Sequence, residues 1–117
     1  MNSKVYTLTN TTKIANALQT LSSHGISGAP VICERNKLCG IVTEYDLLLQ
    51  VATKDLADPI NYTKEFKSIT EQTTLKEIIV LFYKTKFRLF PVLDSHGHVV
   101  GVVTRINVLN RLIQKGR

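Results

Sequence analysis

Hydrophobic and polar positions follow the same order twice along the chain. Each copy begins with a short β-favouring run, Val5–Leu8 or Phe66–Ile69, and continues into a helix whose apolar residues recur every three or four positions. Two apolar runs joined by four or five polar residues come next, which predicts a β-hairpin. A second amphipathic helix closes each copy. The apolar runs of the hairpins are 29–33 with 38–42 and 90–94 with 99–103.

The two copies align without a gap when the chain is shifted by 61 residues. Eight of the 48 aligned positions are identical, and most lie in two short blocks. Self-similarity at a fixed period indicates that one structural unit occurs twice. We therefore predict an α+β fold of tandem β-α-β-β-α repeats, with residues 1–57 forming the first repeat and its connection and residues 58–117 the second. The two blocks are Pro30-Val31 with Pro91-Val92 and Gly40–Thr43 with Gly101–Thr104, and they differ only where Ile41 aligns with Val102.

Local signals place several helix ends. Thr74 with Glu77 three residues later predicts a capping box, whereas the first copy has no acidic partner at that position. Gly25 is suited to end the first helix in a left-handed conformation. The second copy has Lys86 there, so we expect its helix to end differently. Pro30 and Pro91 are expected at strand starts, where a missing N–H is tolerated.

Composition adds a preference for anionic partners. The net charge is +6, with 44% hydrophobic and 21% charged residues. A positive surface can attract nucleic acid or phosphorylated small molecules, or can serve solubility alone. The interleaved aromatic residues typical of single-strand binders are missing, which argues against nucleic acid as the partner.

The compartment is inferred from what the sequence lacks. No apolar run reaches the roughly 18 residues of a membrane span, and the first ten residues do not resemble a signal peptide. We therefore predict a cytoplasmic location without membrane association. Cys33 and Cys39 are then expected to be reduced thiols, with a disulfide or a metal pair as the alternatives.

A repeated motif at the strand-to-helix junction is the candidate for binding chemistry. It reads Gly-x-Val-Thr-x-x-Asp at Gly40–Asp46 and Gly-x-Val-Thr-x-x-Asn at Gly101–Asn107. The free N–H groups of a helix start attract an anion, and Asp46 one turn later can accept hydrogen bonds from a sugar diol. That combination suits a nucleotide. The alternative is that both threonines only cap their helices and bind nothing.

The whole arrangement resembles a CBS domain pair, also called a Bateman module. The resemblance rests on the tandem units, on Ser27-Gly28-Ala29-Pro30-Val31 before the hairpin and on Gly40–Asp46 after it. It implies two repeats packed about a pseudo-two-fold axis, with clefts that bind AMP, ADP or ATP, or alternatively S-adenosylmethionine. It also implies homodimerisation and regulation of an attached or separate effector protein, without a required cofactor.

The resemblance also implies roles for individual residues. Thr43 and Thr104 would meet phosphate, and Asp46 would hold ribose hydroxyls. Thr7 and Ser68 are expected to line the clefts, and two segments would flank adenine. The flanking segments are Ser27-Gly28-Ala29 and Arg88-Leu89-Phe90.

Three departures from the family pattern matter. Asn107 replaces the ribose-binding carboxylate in the second repeat, which removes a charge-assisted hydrogen bond. Glu44 beside Thr43 would repel polyphosphate, whereas Arg105 beside Thr104 would attract it, so we expect the two clefts to be unequal. The first repeat lacks most of a lead-in, because Tyr62 aligns with Met1; this indicates either part of a longer protein or a short stand-alone one.

Catalysis is not expected. The sequence lacks a P-loop, a dinucleotide fingerprint and a Ser-His-Asp order. His96 and His98 are expected in an exposed hairpin turn rather than in a metal site. The main alternative to a ligand sensor is a structural dimerisation scaffold with empty clefts, followed by a nucleic-acid-binding module.

Overall fold

The structure is a computed structural model that describes residues 5–115. The chain divides into two compact units, Met1–Phe66 and Lys67–Arg117. The first contains β1 (Leu8–Thr9), α1 (Ile14–His24), β2 (Gly28–Ile32), β3 (Leu38–Thr43) and α2 (Glu44–Val51). The second contains β4 (Ile69–Thr70), α3 (Leu75–Lys84), β5 (Leu89–Leu93), β6 (Val99–Thr104) and α4 (Arg105–Lys115). The predicted β-α-β-β-α order is confirmed in both copies.

Each unit has a three-stranded mixed sheet with the first strand of the hairpin in the middle. The orders are β1-β2-β3 and β4-β5-β6, with the first pair parallel and the second antiparallel in each sheet. The hairpin registers correspond across the repeat: Gly28 lies opposite Thr43, and Leu89 lies opposite Thr104. The repeated apolar pattern therefore produces the same sheet twice.

The two units also have equivalent cores. In the first, Ile14, Ala17 and Leu47 are completely buried between the helices and the sheet. In the second, Phe90 is completely buried and its ring lies 4.4 Å from that of Phe82, measured between centroids. Burial of a side chain as large as those of Ile14, Leu47 and Phe90 stabilises the fold by about 1.5–3 kcal/mol relative to exposure.

Most predicted helix ends are confirmed. Thr74 accepts a hydrogen bond from the Glu77 N–H, and the Glu77 carboxylate accepts one from the Thr74 N–H, as in a capping box. Gly25 adopts a φ of 61°, the left-handed conformation expected of it. The second copy ends differently, as predicted, with Thr85 extended at the end of α3. The prolines lie within β2 and β5, one residue before the part that pairs with β1 or β4, rather than at the strand starts.

The segment that connects the repeats packs against the first unit. The carbonyl groups of Asp58 and Leu56 accept hydrogen bonds from the N–H groups of Ile14 and Ala15, at 2.9 and 3.0 Å. They satisfy the start of α1, whose N-cap residue makes no side-chain hydrogen bond. The first compact unit extends to Phe66, whereas the first repeat and its connection were predicted from the sequence to end at residue 57. The prediction that the first repeat lacks most of a lead-in rests on the alignment of Tyr62 with Met1, and Met1 lies outside the described residues.

The same segment covers the outer edge of β3. Ile41 and Thr63 exchange two backbone hydrogen bonds of 2.9 Å, so that Thr63 extends the first sheet by one antiparallel bridge. Tyr62 lies against the backbone of Gly40, where a Cβ atom would overlap both the Tyr62 ring and the Thr63 carbonyl oxygen. Gly40 therefore permits a close backbone approach.

The prediction of reduced cysteines is wrong in this structure, which joins Cys33 to Cys39 by a disulfide. Arg35 and Asn36 have φ values of 62° and 60° and turn the chain back tightly, so that the Cys33 N–H reaches the Lys37 carbonyl at 2.8 Å. A register shift leaves Cys39 unpaired in β3. The two Cα atoms lie 5.9 Å apart, within the range a disulfide requires.

The disulfide predicts a specific mass. Purified without reductant, the intact chain should be lighter by two hydrogen atoms than the calculated reduced mass. Iodoacetamide should modify Cys33 and Cys39 only after reduction and unfolding. Alkylation of both cysteines in the denatured, unreduced protein would show instead that the thiols are free.

Candidate functional site

The candidate site of the first repeat lies where β3 meets α2. The Asp46 Oδ2 accepts hydrogen bonds from the Thr43 N–H and hydroxyl, at 3.1 and 2.9 Å, and the Asp46 N–H donates to the Thr43 Oγ1 at 3.2 Å. The result is a complete capping box, which holds both side chains at the helix start. The capping box therefore brings Thr43 and Asp46 together. Both residues are half-buried, so both remain accessible to a ligand.

The capping box determines which atoms remain for a ligand. The Thr43 hydroxyl proton is already donated to Asp46, whereas no hydrogen bond within residues 5–115 engages the Asp46 Oδ1. A free carboxylate oxygen accepts hydrogen bonds and repels anions. This end of the first repeat therefore suits a donor such as a ribose hydroxyl better than a phosphate.

In the second repeat the cap has the same geometry, but the group that it leaves free is a hydrogen-bond donor instead of an acceptor. The Asn107 Oδ1 accepts hydrogen bonds from the Thr104 N–H and hydroxyl, at 2.8 and 3.0 Å. Because the backbone N–H requires an acceptor, the amide oxygen must face the cap and the Nδ2 group must face away. No hydrogen bond within the described residues engages that Nδ2. With the exposed side chain of Arg105 beside it, this junction presents donors and positive charge.

The hairpin brings some predicted adenine-flanking residues to these junctions. The Ser27 carbonyl accepts a 2.9 Å hydrogen bond from the Glu44 N–H, and Gly28 pairs with Thr43. Ser27 and Glu44 also line a groove of about 490 Å³ between α1 and α2, within the first unit. In the second repeat, Leu89 pairs with Thr104 and follows the exposed Arg88.

Other predicted residues lie away from the junctions. Ala29 and Phe90 are fully buried, and their side chains belong to the two cores. Thr7 and Ser68 precede β1 and β4, which lie on the far side of the central strands from β3 and β6. Their proposed contacts with a ligand stay predictions.

Comparison with known proteins decides the family. The profile of the CBS domain family matches residues 1–53 and again residues 55–114. The chain belongs to the CBS domain family. It consists of two tandem CBS repeats, which agrees with the duplicated sheets and with the duplicated strand-to-helix junctions described above.

A solved relative carries a nucleotide. The structure of CBSX2 in complex with AMP has a TM-score of 0.79 and 29% sequence identity, and the match covers 97% of this chain and 91% of that one. CBSX1, a chloroplastic CBS domain-containing protein of Arabidopsis thaliana, is 31% identical over a match that covers 89% of this chain and 57% of CBSX1.

A segment of a longer enzyme also resembles this chain. Inosine-5′-monophosphate dehydrogenase of Aquifex aeolicus is 33% identical over 103 residues, which are 86% of this chain and 21% of the dehydrogenase. The chain spans from about a fifth to just under two thirds of the curated relatives it matches first.

Charge divides unequally between the two CBS repeats. Residues 1–66 contain six Lys and Arg and six Asp and Glu, whereas residues 67–117 contain nine and three. The entire net charge of +6 therefore belongs to the second compact unit. The division after residue 57 predicted from the sequence already gives net charges of +1 and +5, so the asymmetry does not depend on the division after Phe66.

Sequence reasoning missed Gln50, which joins the site helix to the connecting segment. Its Nε2 donates to the carbonyl oxygens of Asn61 and Asp46, at 2.8 and 3.2 Å, and its Oε1 accepts from the Asn61 N–H at 2.7 Å. Gln50 is also buried, with 9% of its surface exposed. The signal in the sequence was a single polar residue within the apolar run Leu47–Val51, and its burial is known only from the structure.

The histidine turn has an acidic partner that sequence reasoning overlooked. The Asp94 carboxylate accepts hydrogen bonds from the N–H groups of His96 and His98, both at 2.9 Å. The backbone N–H of His98 is the main cause that lowers the pKa of Asp94 below its usual value.

Within residues 5–115, no group of three or more His, Cys, Asp or Glu side chains could hold a metal ion. No helix in that range is long and apolar enough to span a membrane.

Proposed function

We propose that this CBS pair is a non-catalytic regulatory module that binds an adenine nucleotide, with Asp46 accepting hydrogen bonds from the ribose hydroxyls. The observation that carries the proposal is the free Asp46 Oδ1 on a capped, accessible helix start. The AMP complex of CBSX2, which has the same fold at 29% identity, supports AMP as the first ligand to test. ADP, ATP and S-adenosylmethionine are the next candidates.

The second repeat supplies the chemistry that phosphate requires. The Asn107 Nδ2 and the guanidinium groups of Arg88 and Arg105 are donors, and the surrounding unit is strongly positive. A nucleotide contains both a neutral diol and an anionic phosphate. We therefore propose that the site of the first repeat prefers a nucleoside and that the site of the second repeat prefers a phosphate group, each considered by itself.

The substitution Asp46→Asn tests this role without breaking the helix cap. Asn107 shows that an asparagine at this position keeps the same cap, so the fold should be preserved. Because hydrogen bonds to charged groups contribute about 1.5–3 kcal/mol, the Kd for AMP should rise at least about tenfold. Isothermal titration calorimetry measures that change.

A matched control and a second ligand sharpen the experiment. Glu71→Gln removes one negative charge from an exposed loop and should leave the Kd unchanged. 2′-Deoxy-AMP should bind the native protein more weakly, but should lose little further affinity in Asp46→Asn, since both changes remove the same interaction. An unchanged Kd for AMP in Asp46→Asn would contradict the proposed role. Absence of binding by every adenosine ligand would favour the structural scaffold.

The module requires a partner to pass on ligand occupancy. Ligand binding can shift only an equilibrium between states that bind it unequally. The dehydrogenase relative contains CBS repeats within a longer enzyme, which supports an attached or separate effector protein as the recipient.

We also propose that the chain forms a homodimer, because α2 and α4 leave large apolar side chains exposed. The proposed location is cytoplasmic, and the redox state of Cys33 and Cys39 in the cell bears directly on it.

A further inference from the structure

The Cys33–Cys39 disulfide contacts the segment that connects the repeats. The Tyr62 hydroxyl lies 3.8 Å from the Cys33 Sγ, and because a disulfide sulfur carries no proton, the hydroxyl is the donor. The Tyr62 ring lies against the backbone of Gly40, the residue that follows Cys39. Cys39 and Tyr62 also pack against the same apolar core. The disulfide therefore borders the surface on which the connecting segment lies, within the first compact unit.

The second repeat closes the equivalent turn without sulfur. Asp94 and Val100 stand where the first repeat has its two cysteines. The Asp94 carboxylate accepts hydrogen bonds from the N–H groups of His96 and His98. Within the described residues, only a β5 side chain lies within 4 Å of a Cβ atom added at Gly101. The disulfide thus belongs to the repeat in which the connecting segment lies on the sheet edge, and the other repeat has hydrogen bonds that a thiol reagent cannot break.

The surroundings of the disulfide also accommodate two free thiols. Cys33 and Cys39 are both half-buried, so the bond is not sealed within the core. The Cys39 Sγ lies 3.2 Å from the Val31 carbonyl oxygen, to which a thiol at that place would donate. The hydrogen bond from the Cys33 N–H to the Lys37 carbonyl, at 2.8 Å, closes the turn in either state. Accessible disulfides of this kind are the labile and regulatory ones.

We propose that the Cys33–Cys39 pair is a reversible redox site whose reduction by a dithiol loosens the connecting segment from the edge of β3. In the oxidised form the covalent bond restricts the turn and keeps its sulfur in place beside Tyr62. In the reduced form the turn gains conformational freedom and the contact with Tyr62 weakens. The two hydrogen bonds between Ile41 and Thr63 then open more often. This inference does not depend on the nucleotide proposed above.

The reaction at this site is a two-electron thiol–disulfide exchange. A thiolate of the dithiol attacks the Cys33 Sγ, since Cys39 packs against the core, and the bond between the two cysteines breaks. Cys39 leaves as a thiolate and takes up a proton from water, which provides the donor for the Val31 carbonyl. The second thiol of the reductant loses its proton and attacks the mixed disulfide. Cys33 is released as a thiolate and is protonated in turn, and the reductant becomes a disulfide.

Amide hydrogen exchange in the two redox states tests the proposal. The folded protein is incubated with dithiothreitol, and its free thiols are counted by mass after alkylation in denaturant. Reduction should accelerate exchange of the Ile41 and Thr63 amides at least about tenfold, while the circular dichroism spectrum and exchange in β5 stay the same. Oxidised dithiothreitol should restore slow exchange. Unchanged exchange in the fully reduced protein, or reduction that proceeds only in denaturant, would overturn the proposal.

Two variants distinguish control of the segment from simple stabilisation of the hairpin. Cys33→Ser with Cys39→Ser should show fast exchange at Thr63 whether or not dithiothreitol is present. Tyr62→Phe keeps the ring but removes the hydroxyl, so it should accelerate exchange at Thr63 in the oxidised protein and diminish the difference between the redox states, since both changes act through one contact. Tyr83→Phe, which removes a hydroxyl from an 88% exposed side chain of α3, is the control and should change neither rate. A redox effect of undiminished size in Tyr62→Phe would show that the disulfide does not act on the segment.

Discussion

Replacing Gly40 by alanine should destabilise the protein by about 3 kcal/mol, whereas the same change at Gly101 should cost nothing. An added Cβ at Gly40 overlaps the Thr63 carbonyl oxygen and the Tyr62 ring, and the backbone oxygen cannot rotate away. Overpacking of this kind costs about 1–3 kcal/mol. Displacement of the segment would also break the two hydrogen bonds between Ile41 and Thr63, each contributing about 1 kcal/mol.

Gly101 is the matched control because it occupies the equivalent position in the second repeat. Its added Cβ would lie 3.6 Å from Val92, which is ordinary van der Waals contact. Alanine also restricts the unfolded chain more than glycine does, so Gly101→Ala should be neutral or slightly stabilising. Urea unfolding measures both variants. Equal losses of stability in the two would mean that the connecting segment does not lie on β3 as described.

Sequence alone predicted the parts of the fold that depend on local patterns. The start of α2 directly after Thr43 and the capping box at Thr74 were predicted correctly, because a cap is set by residues three positions apart. The left-handed end of α1 at Gly25 is equally local. The duplicated order of elements followed from the repeat, since the same pattern must fold twice in the same way.

The features that sequence reasoning missed depend on an unusual turn conformation or on contacts between residues far apart in the chain. The disulfide forms because Arg35 and Asn36 both adopt left-handed conformations; asparagine favours that conformation more than most residues do, but arginine does not. The hydrogen bonds between Gln50 and Asn61 join residues 11 positions apart across the chain turn after α2. No periodic pattern reports such pairs, because periodicity describes only the face on which a residue lies.

The candidate site was predicted in part. The pairing of Thr43 with Asp46 follows from their spacing, and the structure confirms that they meet. Which ligand atoms they can receive does not follow from spacing, because it depends on which oxygen the cap consumes. The exchange of Asp46 for Asn107 looked from sequence like the loss of an interaction. The capped geometry shows that it replaces a free hydrogen-bond acceptor by a free hydrogen-bond donor.

Replacing Gln50 by alanine should destabilise the protein by about 2 kcal/mol through the connecting segment. The change removes both hydrogen-bond partners of the Asn61 backbone and the donor to the Asp46 carbonyl. An unsatisfied buried polar group costs about 1–3 kcal/mol, and the exposed position of Asn61 allows water to recover part of that cost. Unfolding in urea measures the loss, and amide hydrogen exchange at Asn61 should become faster.

Arg111 provides the control, since it occupies the position equivalent to Gln50 in α4 but is exposed. Arg111→Ala should change the free energy of unfolding by no more than about 0.5 kcal/mol, as for other surface substitutions. If Gln50→Ala proved equally harmless and the Asn61 amide stayed protected, the glutamine would not hold the segment. A selective loss in Gln50→Ala would establish that the helix bearing Asp46 is fastened to the chain that leads into the second repeat. Any displacement of α2 by a bound ligand would then act on that segment first.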